Sequence, residues 1–592
     1  MLARFYNEEL DFLRDMAREF AVANPGVVAN ALQTPGADPD VERLLEGFAF
    51  LAARVRQRLE DDFPEIVHAL TGLLWPQFLR ATPSGCVVEF SAEAGKLRDR
   101  RQVEAGVEVK SVEAPGGVEC QFRTCWDFDV LPITVAGARL DQAADGRPIL
   151  TLSFRLMKEV RYADVFRDAA NGGLRLFLHE GRTARSLLDA FSRKVERIEL
   201  RRPAHEGASA AVAPLPLSAI RFPGLEPQRS VVPEPPRAFS AFALLHDYFA
   251  FPERYLFVDV AGLDRARELG GGSEFELVFR LTDWPDGLRR VDPSNFRLGC
   301  VPVVNVFESD ARPIRVARER SEYPLVADMD GANEMETYAV LGMNGIAEGG
   351  DDRAFAALYS LEHRAPRSGD AQVYYHTHVR PSLRPPRTET WFSLIDTGDA
   401  GSIPPLETIA ARLLCTNGDV PTTLGPGDVR EPTFSTPDGV QFRDITRMMP
   451  PVPPPLDGKT SWKLVSLIAT SYLSIADRDN LRTLLRLMDF RSAHDKSAEQ
   501  KLQLRLEAIE SVTVDADDWL VRGRMVRGRA VTIAVRDRKF GGTGEVHLFG
   551  SVLDAVLAMF SSINSHTRLT IVGKDSGEEF RWKPRHGTQI LQ

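Results

Sequence analysis

Apolar residues recur at steps of three and four along the first eighty positions. Phe5, Tyr6, Leu10, Leu13, Met16, Ala17 and Phe20 share one face of a predicted helix, which Asn24-Pro25-Gly26 stops. A second helix begins at Asp38, whose carboxylate suits a cap. Pro39 fits the first turn, and Asp40 and Glu42 complement the dipole. Val41, Leu44, Leu45, Phe48, Ala52, Val55 and Leu59 then form a stripe, with Arg43, Arg54, Arg56, Arg58, Glu60 and Asp61 largely off it. A third apolar segment, Ile66 to Leu79, holds Leu70, Leu73, Leu74, Trp75 and Phe78. The stripe starting at Val41 must pack against something. The expectation is the core of its own domain, and a partner interface is the alternative.

After Ser84 the period changes. Cys86 to Phe90, Val103 to Val109, Val130 to Val135, Leu150 to Leu156 and Leu174 to Leu178 are short, β-branched and bounded by Gly, Pro and Asp. That spacing predicts an antiparallel, sandwich-like region, crossed by a helix at Ala184 to Val195. Tyr255 to Val260 and Phe275 to Phe279 continue the pattern. Trp462 to Ile475, Asn480 to Phe490 and Val552 to Phe560 predict helices. Val531 to Val535, His547 to Phe549 and Leu569 to Val572 predict strands. The expected fold class is α+β and multi-domain, with an N-terminal helical region, β-sandwich-like domains and a C-terminal α+β module. The expected divisions are a helical region at 1–82, a first β-rich domain at 83–202 and a Pro/Ala-rich connector at 203–238. A second β-rich domain at 239–447, a Pro-rich linker at 448–455 and the module at 456–592 complete them.

Composition narrows the function. A chain of 592 residues exceeds one core. A net charge of −10 argues against nucleic acid as a partner. No run approaches a membrane span, and charges near Met1 interrupt any signal-like core, so the expected compartment is cytoplasmic. Cys86, Cys120, Cys125, Cys300 and Cys415 are few and scattered, which fits reduced thiols.

Chemical motifs are sparse. Gly458-Lys459-Thr460 lacks the earlier glycine of a phosphate loop, since Pro453 stands there. Gly270-Gly271-Gly272 and Gly541-Gly542-Thr543-Gly544 suggest hairpin turns. His376-Thr377-His378, with His363 upstream, is the sole histidine cluster, and no carboxylate or thiol completes a metal set at ligand spacing. A β-sandwich hydrolase using these histidines is the enzymatic alternative. The expectation is no enzyme: no catalytic, cofactor-binding or metal residues, and no cofactor. Asn417-Gly418-Asp419 suggests a tight turn, with a contact loop as its other reading.

Motifs spread along the chain resemble the TssF family of type VI secretion baseplate subunits. They are Tyr6-Asn7-Glu8-Glu9-Leu10 with Leu13-Arg14 and Phe20-Ala21, then Asp40 through Leu51 running into Phe63-Pro64-Glu65. Leu73-Leu74-Trp75-Pro76-Gln77-Phe78-Leu79-Arg80 follows, with Pro83-Ser84. Further on come Cys300 through Glu308, Arg320 through Val326, Cys415 through Asp419 and Ser561 through Ser565. Trp75 replaces the usual aromatic, and 203–217 carries no matching motif. The resemblance implies a structural wedge protein that assembles with TssG, TssK, TssE and a second TssF copy. It implies a hub, spike, inner tube and contractile sheath nearby, used for effector delivery. It further implies a baseplate docked indirectly to a membrane complex at the inner membrane, without membrane insertion. A baseplate protein of a phage tail or other contractile particle is the structural alternative.

Overall fold

The computed structural model describes residues 6, 9–17, 39–62, 64–161, 165–166, 173–203, 211–233, 239–265, 272–285, 287–316, 320–328, 335–346, 352–358, 373–382, 387–396, 408–469, 477–521 and 523–588. Mixed helices and strands confirm the α+β class. Residues 9–17 are helical, as are Pro39–Asp62 and Pro64–Leu74, and Pro76–Leu79 adds a 3-10 turn. Asp38 lies outside the described residues, so its cap does too.

The strands are distributed less simply than their order along the chain. One six-stranded antiparallel sheet runs Val429–Pro432, Glu108–Ala114, Val118–Thr124, Cys300–Val304, Gly85–Ala92, Val440–Asp444. Its two edges meet through Asp444, whose Oδ1 accepts from the N–H groups of Gly427 (2.9 Å) and Val429 (2.8 Å). This sheet draws on residues expected in two different domains, which corrects the contiguous division into 83–202 and 239–447. Strand pairing is set by buried faces rather than by chain order: Cys86, Val88, Phe90, Phe122, Val301 and Val303 fill one core together.

A five-stranded and a four-stranded sheet share the largest core. The first runs Ala211–Leu215, Val195–Arg202, Glu274–Leu281, Pro148–Leu156, Ile133–Gln142. The second runs Ile220–Arg221, Phe257–Val260, Leu174–Leu178, Phe296–Arg297. Two pieces of the supposed connector, Ala211–Leu215 and Ile220–Arg221, are therefore sheet. Gly224 and Val231 are held by a fully buried ion pair: Asp247 Oδ2 takes the Arg254 guanidinium and accepts from the Val231 N–H (2.9 Å), while Arg254 donates to the carbonyl of Gly224 (2.9 Å). The expected Pro-rich linker also packs as an edge segment, since Thr82 pairs with Val452 and Gly85 with Met449.

Residues 307–416 make a third β unit. Its strands run from Phe307–Asp310 through Thr408–Thr416, Glu336–Ile346, Asp352–Ala357, Val373–Pro381 and Thr388–Asp396 to Tyr323–Pro324. The path closes on itself, because Asp328 donates to Asp310 (2.8 Å), Arg312 donates to Val326 (2.8 Å) and Ala311 bridges Ala327. A buried amide clasp joins this unit to the six-stranded sheet. Asn305 Oδ1 accepts from the Asn417 N–H (2.7 Å), and Asn305 Nδ2 donates to Asn417 Oδ1 (2.7 Å) and to the carbonyl of Gln121 (2.7 Å).

The C-terminal residues form Ile509–Val521, Arg524–Val535, His566–Gly573 and Glu579–Arg581, with Arg585–His586 beside the third strand. The predicted strand at His547 to Phe549 is instead part of the helix Thr543–Phe560, which links two parallel strands. A short apolar run does not distinguish a strand from a buried helix, and this helix is buried on nearly all sides. The glycines before it are no hairpin: Gly541 (φ +113°) ends one short helix and Gly542 (φ +102°) precedes the next. The strand expected over Val103 to Val109 divides into Arg101–Val103 and Glu108–Ala114.

Candidate protein interface

The apolar stripes of the N-terminal helices face water. On Pro39–Asp62, Leu44 is 63% exposed, Phe48 64% and Leu51 59%. These positions lie four and three residues apart, on one face. Among the described side chains of this helix, Ala49 and Ala53 are buried and Leu45 is half-buried. Over residues 42–54 the helix thus turns Ala49 and Ala53 inward and Leu44, Phe48 and Leu51 outward, so Leu44 and Phe48 of the stripe are not the domain core that the pattern suggested; the side chains of Val41, Val55 and Leu59 lie outside the described residues. The helix Pro64–Leu74 repeats the arrangement. Ile66, Leu70, Leu73 and Leu74 are exposed, while Val67 and Thr71 are buried and Thr71 Oγ1 donates to the Val67 carbonyl (2.8 Å). Phe12 and Met16, one turn apart in residues 9–17, are exposed as well.

The surface is anchored at its C-terminal end. Trp75 is buried against Phe78, Phe242 and Phe490, with ring centroids 5.6, 5.4 and 6.2 Å away. His246 lies edge-on to Trp75, donates from Nδ1 to the Met488 carbonyl (3.2 Å) and pairs through Nε2 with Thr82 Oγ1 (2.9 Å). Burial holds its pKa below the ordinary imidazole value, favouring the neutral ring. The helix Gly458–Ala469 packs beside Pro64–Leu74 and leaves Trp462 56% exposed. At the other end, Arg14 Nε donates to Glu42 Oε1 (2.9 Å), tying residues 9–17 to the second helix. Three successive helices thus present large side chains at helical spacing on a fixed frame. Apolar surface of this extent marks a binding face, and regular i, i+3, i+4 spacing suits packing against other helices.

The chemical candidates are dispersed. His363 lies outside the described residues. His376 and His378 share a strand with ring centroids 5.9 Å apart, and His378 is 3.9 Å from Glu322. Burial, reinforced by Arg380, pushes the His378 pKa down to about 4. Among the described residues no three His, Cys, Asp or Glu side chains gather to hold a metal. Burial raises all five cysteine thiols above their ordinary value, so they are protonated packing groups. Gly458-Lys459-Thr460 opens a helix whose Thr460 N–H is already taken by the Asp457 carboxylate (2.8 Å). Asn417-Gly418-Asp419 turns at Gly418 (φ +53°), with Asn417 wholly buried in the amide clasp.

Sequence periodicity located the stripe but not its exposure. The alanines supplied the missing signal: Ala49 and Ala53, one turn apart, permit close approach on the face opposite the bulky residues.

Comparison with known proteins matches residues 1–589 to the family described as "Type VI secretion system, TssF". The curated "Type VI secretion system component TssF1" of Pseudomonas aeruginosa (strain PAO1) is 29% identical, with 99% of each chain covered. A chain in a structure of the type VI secretion TssK-TssF-TssG baseplate subcomplex superposes with a TM-score of 0.75 at 27% identity, covering 93% of this chain and all of that one. A chain of a type VI secretion baseplate complex superposes with a TM-score of 0.66 at 25% identity, with both chains fully covered.

Proposed function

The chain belongs to the TssF family and is a structural subunit of a type VI secretion baseplate; from that premise we propose that its exposed N-terminal helices are the surface through which it is built into the wedge. The observation that carries this reading is the outward stripe of Leu44, Phe48 and Leu51, continued by Ile66, Leu70 and Leu73. Its helical spacing fits a helical partner, and the TssG subunit of the related complexes is the proposed one, with TssK held in the same subcomplex. The protein acts by binding, without a catalytic centre or cofactor. TssE, a second TssF copy, the hub with its spike, and the sheath complete the proposed surroundings. The assembly sits in the cytoplasm, docked to a membrane complex at the inner membrane.

The test is co-expression of the full chain with its TssG- and TssK-type partners. Phe48→Glu and Leu51→Ser change side chains already in water, so the free energy of unfolding should change by less than about 0.5 kcal/mol. Co-purification of the TssG-type subunit should be lost. An intact complex in the double variant overturns this placement of the interface.

A further inference from the structure

The C-terminal sheet ends in an open edge. The strand Ile509–Val521 is 13 residues long and, among the described residues, pairs on one side only, with Arg524–Val535. That is about twice the common strand length. The register Val521↔Arg524 closes a two-residue turn. Hydrogen-bonded pairs therefore fall at Val521/Arg524, Trp519/Val526, Asp517/Gly528, Asp515/Ala530 and Thr513/Thr532. The intervening residues Val512, Val514, Ala516, Asp518 and Leu520 direct their N–H and C=O groups away from the hairpin, and no hydrogen bond among the described residues takes them up.

Exposed edges are usually blunted by lysine, proline or a bulge. Here the only register shift lies at the base, between Ile509 and Ser511. The parallel strand His566–Gly573 supports the hairpin only from Arg529 onward, so the tip projects past the sheet. Leu520 and Met525 are cross-strand partners there, and each is 66% exposed.

Charge selects the occupant. Asp517 is engaged by His566 (2.9 Å) and Arg568 (3.2 Å). Asp515 and Asp518 are exposed and make no ion pair among the described residues, although Arg527 stands across from Asp518 in register. Two copies of this edge, paired antiparallel about its central residue Asp515, would set the two Asp515 carboxylates against each other, and like charges directly opposite are unfavourable. A basic strand is complementary. Toward the base, Val512 and Val514 are half-buried against the core and call for apolar neighbours.

We propose that the outer edge of Ile509–Val521 is a strand-addition site for an extended segment of a partner protein. Running antiparallel, that segment carries Lys or Arg opposite Asp518 and again three residues later opposite Asp515. Apolar residues follow opposite Val514 and Val512. Main-chain hydrogen bonds would supply affinity, and the alternating side chains would supply selection.

The probe is a blocked peptide containing Lys-Thr-Thr-Lys-Val-Thr-Val, titrated into the full chain by fluorescence anisotropy, with amide exchange measured on the complex. Saturable binding weakened by salt is expected, with new protection at Val512, Val514, Ala516, Asp518 and Leu520. Ala516→Pro removes an outward N–H that the hairpin itself does not use, so it should abolish binding while leaving the unfolding midpoint in place. Replacing both peptide lysines by glutamate should weaken binding at least tenfold, and Asp515→Lys with Asp518→Lys should invert that preference. No saturation below about 1 mM, protection elsewhere in the chain, or binding indifferent to both sets of variants overturns the proposal.

Discussion

Single residues decide how the β units are joined. Asn305 and Asn417 lie 112 positions apart and meet as a buried pair. An asparagine suits this place because one side chain both donates and accepts. Asn305→Ala leaves the Asn417 N–H and the Gln121 carbonyl without their partner. It should cost roughly 2–4 kcal/mol, read from denaturant unfolding, because each buried polar group left unsatisfied costs about 1–3 kcal/mol. Two groups on the helix Thr543–Phe560 make stability depend on pH with opposite signs. Burial pushes the Asp554 pKa up to about 6, against the pull of Arg585, so the native carboxyl keeps a proton that the unfolded chain releases near 3.8. Its contribution is complete below that value and is lost as pH rises toward 6. Asp554→Asn should therefore gain stability relative to the parent between about pH 4 and 6, then stay level. Burial, with Arg193 adding to it, pushes His547 down to about 4 from 6.5. Its contribution is present above pH 6.5 and is lost as pH falls toward 4. His547→Gln should flatten that acid limb, in unfolding midpoints measured at stepped pH.

At the scale of elements, the two most informative helices are opposites. Pro39–Asp62 looked like core by its spacing and turns Leu44 and Phe48 outward; Thr543–Phe560 looked partly like strand and lies at the centre of a core. Spacing reports which residues share a face, whereas exposure depends on what that face meets. Gly550 shows how closely the second helix is fitted: a Cβ there would stand 2.2 Å from Trp582. Gly550→Ala should cost about 1–3 kcal/mol through forced repacking, with a shift in tryptophan emission as Trp582 moves. Two helices in the C-terminal region carry side-chain caps. Asp477 accepts from the N–H groups of Asp479 and Asn480, and Asp495 from that of Ser497, as short polar side chains before helices commonly do.

Across the whole molecule, one hydrophobic cluster runs from Trp75 and Phe78 through Leu152, Phe154 and Phe275 to Leu484, Val531, Val552 and Ile571. The C-terminal residues are therefore not an independent module. Glu545 reinforces the join, reaching Arg185 (2.6 Å) on one side and Arg505 (3.3 Å) on the other. A chain truncated after residue 455 would expose the face that Leu484, Leu553 and Val556 cover. It should be recovered in the insoluble fraction, whereas in the full chain the C-terminal residues should unfold together with the five- and four-stranded sheets that share this core.

The sequence by itself determined the local periods, the succession from helices to strands and back, and the sparseness of catalytic motifs. It also carried the ordered motifs of the family, because those depend on residue type and spacing alone. It did not determine that Gly85–Ala92, Cys300–Val304 and Val440–Asp444 would be neighbours, that a proline-rich stretch would be an edge segment, or that the Leu44–Phe48–Leu51 face would be left in water. Those were decided by tertiary structure. Sheet pairing and burial are settled by contacts between residues hundreds of positions apart, and an apolar face has the same pattern whether its cover lies within the chain or on another subunit.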